Sequence, residues 1–215
     1  MTNGNNVTKL LAATGAWVGS FLVGSAPQGV AFDGANVWVT NYGDNNVTKL
    51  LAATGALLGK YPVGNGPNGV AFDGANIWVT NGDSNNVTKL LAATGALLGT
   101  YPVGTNPEGL AFDGANIWVT NLSDNTLSKL LAATGALLGT YPVGISPYGV
   151  AFDGANIWVA NTADSTVSKL LAATGALLGT YPVGNLVNSL AFDGANIWVT
   201  NLGDFGYGGN TVSKL

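Results

Sequence analysis

The chain has 215 residues, a formal net charge of −4 and neither histidine nor cysteine, and its seven basic residues are all lysines. The missing cysteines exclude disulfides and thiolate chemistry. An acidic chain without arginine is a poor candidate for nucleic-acid binding. The apolar runs are too short for a membrane span, and no secretory signal is visible at the start of the chain. These features leave the localisation unknown.

A repeat of 40 residues organises the whole chain. The segment KLLAATGA starts, without slippage, at Lys9, Lys49, Lys89, Lys129 and Lys169. The segment AFDGAN follows the same period and starts at Ala31, Ala71, Ala111, Ala151 and Ala191. A fixed period of this length indicates stacked or radially arranged structural units.

Each unit predicts four short strands. In one unit they are Gly69–Asp73, Ala75–Asn81, Asn86–Ala93 and Ala96–Val103, in chain order. An Asp-Gly pair joins the first two strands and a Thr-Gly pair joins the last two, and both pairs are typical of tight turns.

The strands are apolar on both faces, as the run Ile77–Val79 shows, so each predicted sheet needs a neighbour on either side. Antiparallel units of this size stack radially in β-propellers. We therefore predict an all-β fold, a five-bladed β-propeller of 40-residue, four-stranded blades. One tryptophan per unit is expected in the core between blades: Trp38, Trp78, Trp118, Trp158 and Trp198.

We expect a single propeller domain over residues 1–215, with full blades at about 27–66, 67–106, 107–146 and 147–186. The closing blade combines residues 1–26 with 187–215, so that strands from both termini share one sheet and no edge is exposed. A stacked β-solenoid and a larger ring completed by a second chain are the alternatives.

Two similar segments compete for the third strand of the closing blade. Asn5–Leu10 reads NNVTKL and Asn210–Leu215 reads NTVSKL. The insert Phe205–Gly209 gives the second segment enough reach for either position. The sequence does not decide which of the two fills the third-strand position.

The segments NTVSKL, TGALLGTYPVG and GVAFDGANIWVTN resemble the YVTN-type β-propeller repeats and are similar to NHL repeats and to virginiamycin B lyase-like propellers. Tryptophan replaces the tyrosine of the YVTN motif. The resemblance implies a propeller fold and suggests an extracellular or cell-surface context. The lyase-like members use histidine and a divalent metal, which a histidine-free chain cannot match. The near-identity of the units also resembles recently amplified or engineered propellers.

Differences between units concentrate in two loops, which antiparallel strands place on the same face. One loop joins strands two and three, at residues 42–44 and their equivalents, and the other links successive blades, at residues 25–28 and their equivalents. We call the last linker position the mouth residues and predict that they ring the central channel and bind a small polar ligand: Gln28, Asn68, Glu108, Tyr148 and Asn188. Unconstrained variation of loop positions is the alternative explanation.

No catalytic constellation is visible, and we expect no cofactor. The aspartates of the Asp-Gly pairs are expected to stabilise turns: Asp33, Asp73, Asp113, Asp153 and Asp193. A second set follows strand two, and Asx-turn bonding is favoured there over a metal site: Asp44, Asp83, Asp124, Asp164 and Asp204. The lysines of the third strands are interpreted as structural.

Three functions stay open. The first is a non-enzymatic propeller, a structural or interaction scaffold whose variable loop face binds a protein, peptide or carbohydrate. The second is a lectin-like binder of a small polar ligand or glycan at the mouth residues. The third is a lyase-like enzyme, which the missing histidine disfavours. Because charged residues are few, self-association is a further expectation.

Overall fold

The computed structural model describes residues 5–203 and 210–215. These residues form an all-β structure with 21 strands, arranged in antiparallel sheets. Residue Asp204 and the insert Phe205–Gly209 lie outside the described residues.

Sheet 1 contains only β1 (Asn6–Leu10) and β2 (Trp17–Leu22). Sheet 2 contains β3 (Pro27–Phe32), β4 (Asn36–Asn41), β5 (Asn46–Leu51) and β6 (Leu57–Pro62). Sheet 3 contains β7 (Pro67–Phe72), β8 (Asn76–Asn81), β9 (Asn86–Leu91) and β10 (Leu97–Pro102). Short 3-10 turns follow β4 and β8, at Tyr42–Asp44 and Gly82–Ser84.

Sheet 4 contains β11 (Pro107–Phe112), β12 (Asn116–Asn121), β13 (Thr126–Leu131) and β14 (Leu137–Pro142). Sheet 5 contains β15 (Pro147–Phe152), β16 (Asn156–Asn161), β17 (Thr166–Leu171) and β18 (Leu177–Pro182). Sheet 6 contains β19 (Val187–Phe192), β20 (Ile197–Asn201) and β21 (Thr211–Lys214). The predicted four-stranded antiparallel units are therefore confirmed.

The first strand of each unit begins earlier than the sequence predicts. β7 starts at Pro67 rather than Gly69, and its register against β8 shifts between Pro67 and Val70. This bulge lets the linker proline join the strand before the regular ladder begins.

The chain divides into two compact halves, Met1–Gly99 and Thr100–Leu215. Sheets 1 and 2 lie in the first half, together with most of sheet 3, and sheets 4, 5 and 6 lie in the second half. The assignment of residues 1–215 to one propeller domain stays a prediction.

β21, not β1, takes the third-strand position beside β20, and the closing blade of residues 1–26 with 187–215 stays a prediction. β21 pairs with β20, with Lys214 opposite Trp198, and so takes the third position of sheet 6. β1 pairs with β2 and belongs to the separate sheet 1. The physical reason is that β21 carries the third-strand pattern and follows β20 directly in the chain.

Trp38, Trp118 and Trp158 form the core between neighbouring sheets, as predicted. Trp38 is fully buried and, with Val47, packs against Ile77 and Val79 of sheet 3. In the second half of the chain, Trp118 of sheet 4 packs in the same way against strands of sheet 5. Trp198 is the exception, because its side chain remains 39% exposed.

Each tryptophan is also held by its own hairpin. The indole Nε1 of Trp118 donates a hydrogen bond of 2.7 Å to the Asp113 carboxylate, which also accepts from the backbone of Ala115 and Asn116. The Asp-Gly aspartate therefore orients the core indole in addition to forming the turn.

A lysine of the third strand lies against each indole. The Nζ of Lys129 lies 4.8 Å from the Trp118 ring centroid, within the range of a cation–π contact. It donates to the carbonyl oxygens of Ala172 and Ala173 in the next sheet, at 2.7 and 3.3 Å. Lys129 therefore has a structural role, as predicted, and it connects two sheets instead of reaching to water.

The hairpin aspartates have lowered pKa values. Burial raises the pKa of Asp153, but hydrogen bonds from the Trp158 indole and the Asn156 side chain outweigh it. Together with two backbone N–H donors they lower the pKa of Asp153 from 3.8 to about 2. The pKa values of Asp33, Asp73 and Asp113 are lowered by the same kinds of donors against the same opposing burial.

We predict that Trp118→Ala lowers the free energy of unfolding by about 3–5 kcal/mol, because it leaves a large cavity between two sheets. The matched control Trp17→Ala removes an indole that is 69% exposed, and its effect should stay within about 0.5 kcal/mol. Urea titrations followed by circular dichroism measure both. Equal effects of the two changes would contradict the assignment of the core.

We also predict that Asp153 stabilises the fold in a pH-dependent way. Its pKa is lowered on folding, so its contribution is present above pH 3.8 and is lost as the pH falls toward about 2. The stability difference between the wild type and Asp153→Asn should therefore shrink over this range in urea titrations. If the stability difference between the two proteins is the same at neutral pH and near pH 2, the predicted role of Asp153 is wrong.

Candidate binding face

The two variable loops of each unit lie at the same end of the sheet and are bonded to each other. In sheet 2, the backbone N–H of Tyr42 donates to the Ala26 carbonyl at 3.0 Å, and that of Gly43 donates to the Ser25 carbonyl at 3.1 Å. The Asp44 carboxylate accepts from the Ser25 N–H at 3.0 Å. We call this end of each sheet the variable end.

Sheets 4 and 5, in the second half of the chain, repeat this arrangement with different side chains. In sheet 4, Leu122 N–H donates to the Asn106 carbonyl at 3.0 Å, and the Asp124 carboxylate accepts from Thr105 N–H at 2.6 Å. In sheet 5 the Asp164 carboxylate accepts from Ile145 N–H, also at 2.6 Å. The backbone bonds are therefore conserved between units while the exposed side chains differ.

The loop aspartates cap the linker instead of forming the local Asx turns that the sequence favoured. Their partners lie 19 residues earlier in the chain, across the sheet end. Asp83 is not equivalent to them, because Ser84 occupies the matching position and its Oγ accepts from Asn65 N–H at 2.8 Å. Asp83 instead accepts from the Tyr42 hydroxyl at 3.1 Å.

A buried asparagine at the end of strand two stabilises the variable end through hydrogen bonds. Asn121 Oδ1 accepts from Gly104 N–H at 3.1 Å, and its Nδ2 donates to Thr126 Oγ1 and to Ser128 Oγ, each at 2.9 Å. Asn41 and Asn161 make the same kinds of bonds in their sheets. The final asparagine of strand two thus links the linker to strand three.

The variable loops hold non-glycine residues in the left-handed region. Linker residues Ala26 and Leu186 have φ of 50° and 52°, and the loop residue Asn45 has φ of 54°. Side chains rarely adopt such values, which persist where surrounding bonds determine the backbone. These loops therefore have one defined conformation, on which the side chains vary.

The mouth residues lie inside the first strands, not before them as predicted. Each is the second residue of its strand, within the bulge that follows the linker proline or, in β19, a valine. Gln28 is exposed and Glu108 is 9% exposed, while the other three are partly buried.

Neighbouring first strands approach closely at these positions. Thr40 Oγ1 donates to the Asn68 carbonyl at 2.7 Å, and Thr120 Oγ1 donates to the Tyr148 carbonyl at 2.7 Å. A Cβ at Gly149 would lie 2.5 Å from the Asn188 carbonyl oxygen, so glycine is needed there. The structure thus brings together the backbones at Gln28 and Asn68, and those at Glu108, Tyr148 and Asn188.

The opposite end of the sheets carries open clefts that are poor ligand sites. One cleft of about 440 Å³ is lined by Asp33, Asn36, Lys49 and Phe72, among others. The Asp33 carboxylate already accepts from the Trp38 indole and from Asn36, and Lys49 Nζ is bonded to the Ala92 carbonyl. The polar groups of this cleft are engaged within the protein.

Among residues 5–203 and 210–215, no group of three or more acidic, histidine or cysteine side chains could hold a metal ion. The same part of the chain contains no helix with the length and apolar character needed to cross a membrane.

No protein-family model matches this chain, and no curated protein matches it either. Solved structures do. A functionally unknown protein from Desulfotomaculum acetoxidans is 16% identical with a TM-score of 0.81, over 100% of this chain and 77% of that one. A virginiamycin B lyase from Staphylococcus aureus is 17% identical with a TM-score of 0.77, over 91% of this chain and 70% of that one.

Hydrazine synthase from Kuenenia stuttgartiensis is 19% identical with a TM-score of 0.72, over 89% of this chain. This chain spans only 59% of the length of that protein chain. At these identities the likeness shows the fold alone, which is the β-propeller fold of repeated four-stranded sheets.

We predict that Asn121→Ala destabilises the protein by about 1–3 kcal/mol, because it removes one acceptor and two donors from a buried network. The exposed neighbour Ser123→Ala serves as the matched control and should change stability by less than about 0.5 kcal/mol. Thermal and urea unfolding measure both variants. Equal stability of Asn121→Ala and the wild type would show that the asparagine does not hold the variable end.

Proposed function

We propose that this protein is a non-enzymatic interaction module that binds a protein or peptide partner at the variable ends of its sheets. The observation that carries this proposal is the contrast between a constant frame and two variable loops held together by backbone hydrogen bonds at one end. Binding residues are commonly found on such loops, positioned by a rigid scaffold.

The exposed side chains of the variable ends favour a protein or peptide partner. Tyr42, Ile145 and Leu202 are 42, 52 and 51% exposed, and polar and small residues surround them. Large apolar side chains raised on ordered loops provide the anchors that protein interfaces use. Equivalent positions in other units carry Gly82 or Thr162, so the units offer different contacts.

The composition supports a non-enzymatic role. Histidine and cysteine are absent from the sequence, which removes two of the commonest nucleophiles and bases. The lyase and the hydrazine synthase share a fold with this chain, and folds of this kind host unrelated functions. We therefore attribute neither reaction to this protein.

A lectin-like binder is the second candidate. It is favoured by the close approach of the first strands at Gln28 and Asn68, and at Glu108, Tyr148 and Asn188. Amide, carboxyl and phenol groups in this spacing suit a small polar ligand or a glycan.

The resemblance to YVTN-type and NHL-like repeats is also kept as a proposal, and with it a cell-surface or extracellular context. The unbroken 40-residue period and the WVTN segments support it. Five blades, counted by the five AFDGAN segments, belong to the same proposal.

A phage-displayed library of random peptides and a glycan array test these candidates. The loop variant exchanges residues between units, as Tyr42→Gly, Ile145→Asn and Leu202→Gly. The mouth variant changes all five mouth residues to alanine. The matched control alters exposed positions at the opposite end, as Ala53→Ser, Ala93→Ser and Ala173→Ser.

We expect peptides that bind the wild type and the control equally, and the loop variant at least about tenfold more weakly. Glycan binding that is lost only in the mouth variant would favour the lectin-like candidate instead. Peptides that bind all four proteins equally, or the absence of any selected peptide or glycan, would overturn the interaction module.

A further inference from the structure

The two halves of the chain differ in charge. Met1–Gly99 contains as many lysines as acidic residues, so the formal net charge of −4 belongs entirely to Thr100–Leu215. The lysines of this second half all lie in third strands, and they are Lys129, Lys169 and Lys214. The positions of its acidic residues therefore decide which surface is negative.

At the opposite end of the sheets, acidic and basic groups occur together. Asp113 and Lys129 line one open cleft in the second half. Both contact the same indole, because Asp113 accepts from Trp118 Nε1 at 2.7 Å and Lys129 Nζ lies 4.8 Å from the ring centroid. The hairpin aspartates and third-strand lysines of sheets 5 and 6 contact their tryptophans in the same way. This end of the second half therefore has no excess charge.

The variable ends of sheets 4 and 5 each expose an aspartate. Asp124 and Asp164 each use one carboxylate oxygen, Oδ2, to accept from a linker N–H at 2.6 Å. The lysines of this half lie against the indoles of the opposite end. These two aspartates therefore contribute to the excess negative charge of the second half, and they place it at the variable ends.

An exposed isoleucine connects the two aspartates. Ile145 N–H donates to the Asp164 carboxylate at 2.6 Å. The next residue, Ser146, donates from its N–H to Asn125 Oδ1 at 2.9 Å, and Asn125 directly follows Asp124. The side chain of Ile145 is 52% exposed, so an apolar group is linked to a loop aspartate of the sheet on either side. We call Asp124, Ile145 and Asp164 the acidic patch.

The equivalent place in the first half has the same frame with different side chains. Its linker N–H groups donate to Asn45 Oδ1 and to Ser84 Oγ, at 2.9 and 2.8 Å. However, Asn65 stands in place of Ile145, and Ser84 stands in place of Asp164. The fold therefore does not require the combination of an apolar side chain with two carboxylates.

We propose that the partner of the interaction module is a basic peptide segment that binds at the acidic patch, a proposal that rests on the function proposed for the variable ends. Lysine or arginine side chains of the segment pair with Asp124 and Asp164, since each carboxylate has a second oxygen that can accept from a cationic donor. An apolar side chain of the segment packs on Ile145. Charge complementarity of this kind sets the choice of partner, and the apolar contact adds affinity.

The positive charge has to come from a partner because the chain's own lysines are engaged. Each of them is bonded to a carbonyl oxygen or lies against an indole of its own half. A metal ion is a poorer occupant, since the described residues provide no group of three or more acidic, histidine or cysteine side chains. Nucleic acids are repelled by a negative surface.

Selection from a phage-displayed library of random peptides on the wild-type protein at low salt gives the first readout. The selected peptides should be enriched in lysine and arginine over the unselected library. The most enriched peptide is then synthesised with a fluorescent label and titrated by anisotropy. Its affinity should fall as sodium chloride is added, because salt screens exposed charges.

Two variants separate the charges from the apolar contact. Asp124→Asn combined with Asp164→Asn keeps the acceptor oxygens of the linker bonds but removes both charges, and should weaken binding at least about threefold. Ile145→Asn copies Asn65 and keeps both charges, and should weaken binding at least about fivefold. The matched control Asp193→Asn removes a carboxylate at the opposite end of the same half and should bind like the wild type. Circular dichroism checks that each variant is folded.

Selected peptides without excess lysine and arginine, whose binding still needs Ile145, overturn the basic partner and leave the interaction module intact. The absence of any selected peptide overturns both. Binding that the double aspartate variant retains in full, or that Asp193→Asn weakens equally, shows that the patch is not the site. Binding that Ile145→Asn leaves unchanged is general attraction to a negative chain and also overturns the proposal.

Discussion

The contact on which the rest of the structure depends is the one that the second-strand tryptophan makes. Its indole is bonded to the hairpin aspartate, is covered by the lysine of the third strand and packs on the following sheet. The lysine in turn bonds to carbonyl groups of that following sheet. Within each of the two compact parts of the chain, neighbouring sheets are held together by such contacts, as in other repeat proteins.

This dependence explains why the ends of the chain differ from its middle. Sheet 1 has Lys9 and the exposed Trp17 but lacks the second strand that carries the core tryptophan, and in sheet 6 the side chain of Trp198 is 39% exposed.

The variable ends are carried by these packed sheets, but their exposed side chains take no part in the packing. Two side chains accept hydrogen bonds from backbone N–H groups of the linker: the buried asparagine that ends strand two and the aspartate of the loop. Because these bonds involve only the backbone of the linker, exposed side chains such as Tyr42 and Ile145 can differ between units. A fold shared with lyases and with a protein of unknown function is consistent with this separation, because function resides in the loops that the frame carries.

The sequence by itself determined the period, the four strands of each unit and the burial of the tryptophans, because alternation and turn residues are local signals. Two further signals were present in the sequence but are not part of a strand pattern. One is the constant spacing of Asp113 and Trp118, and the other is that Ser84, not Asp83, lies 40 residues after Asp44. Only the tertiary structure decided that the lysine bonds to the next sheet, that the mouth residues lie in bulged strands, and that β21 rather than β1 stands beside β20. Two strands with nearly the same sequence compete for one position, and the choice between them depends on chain connection and packing, which no local pattern records.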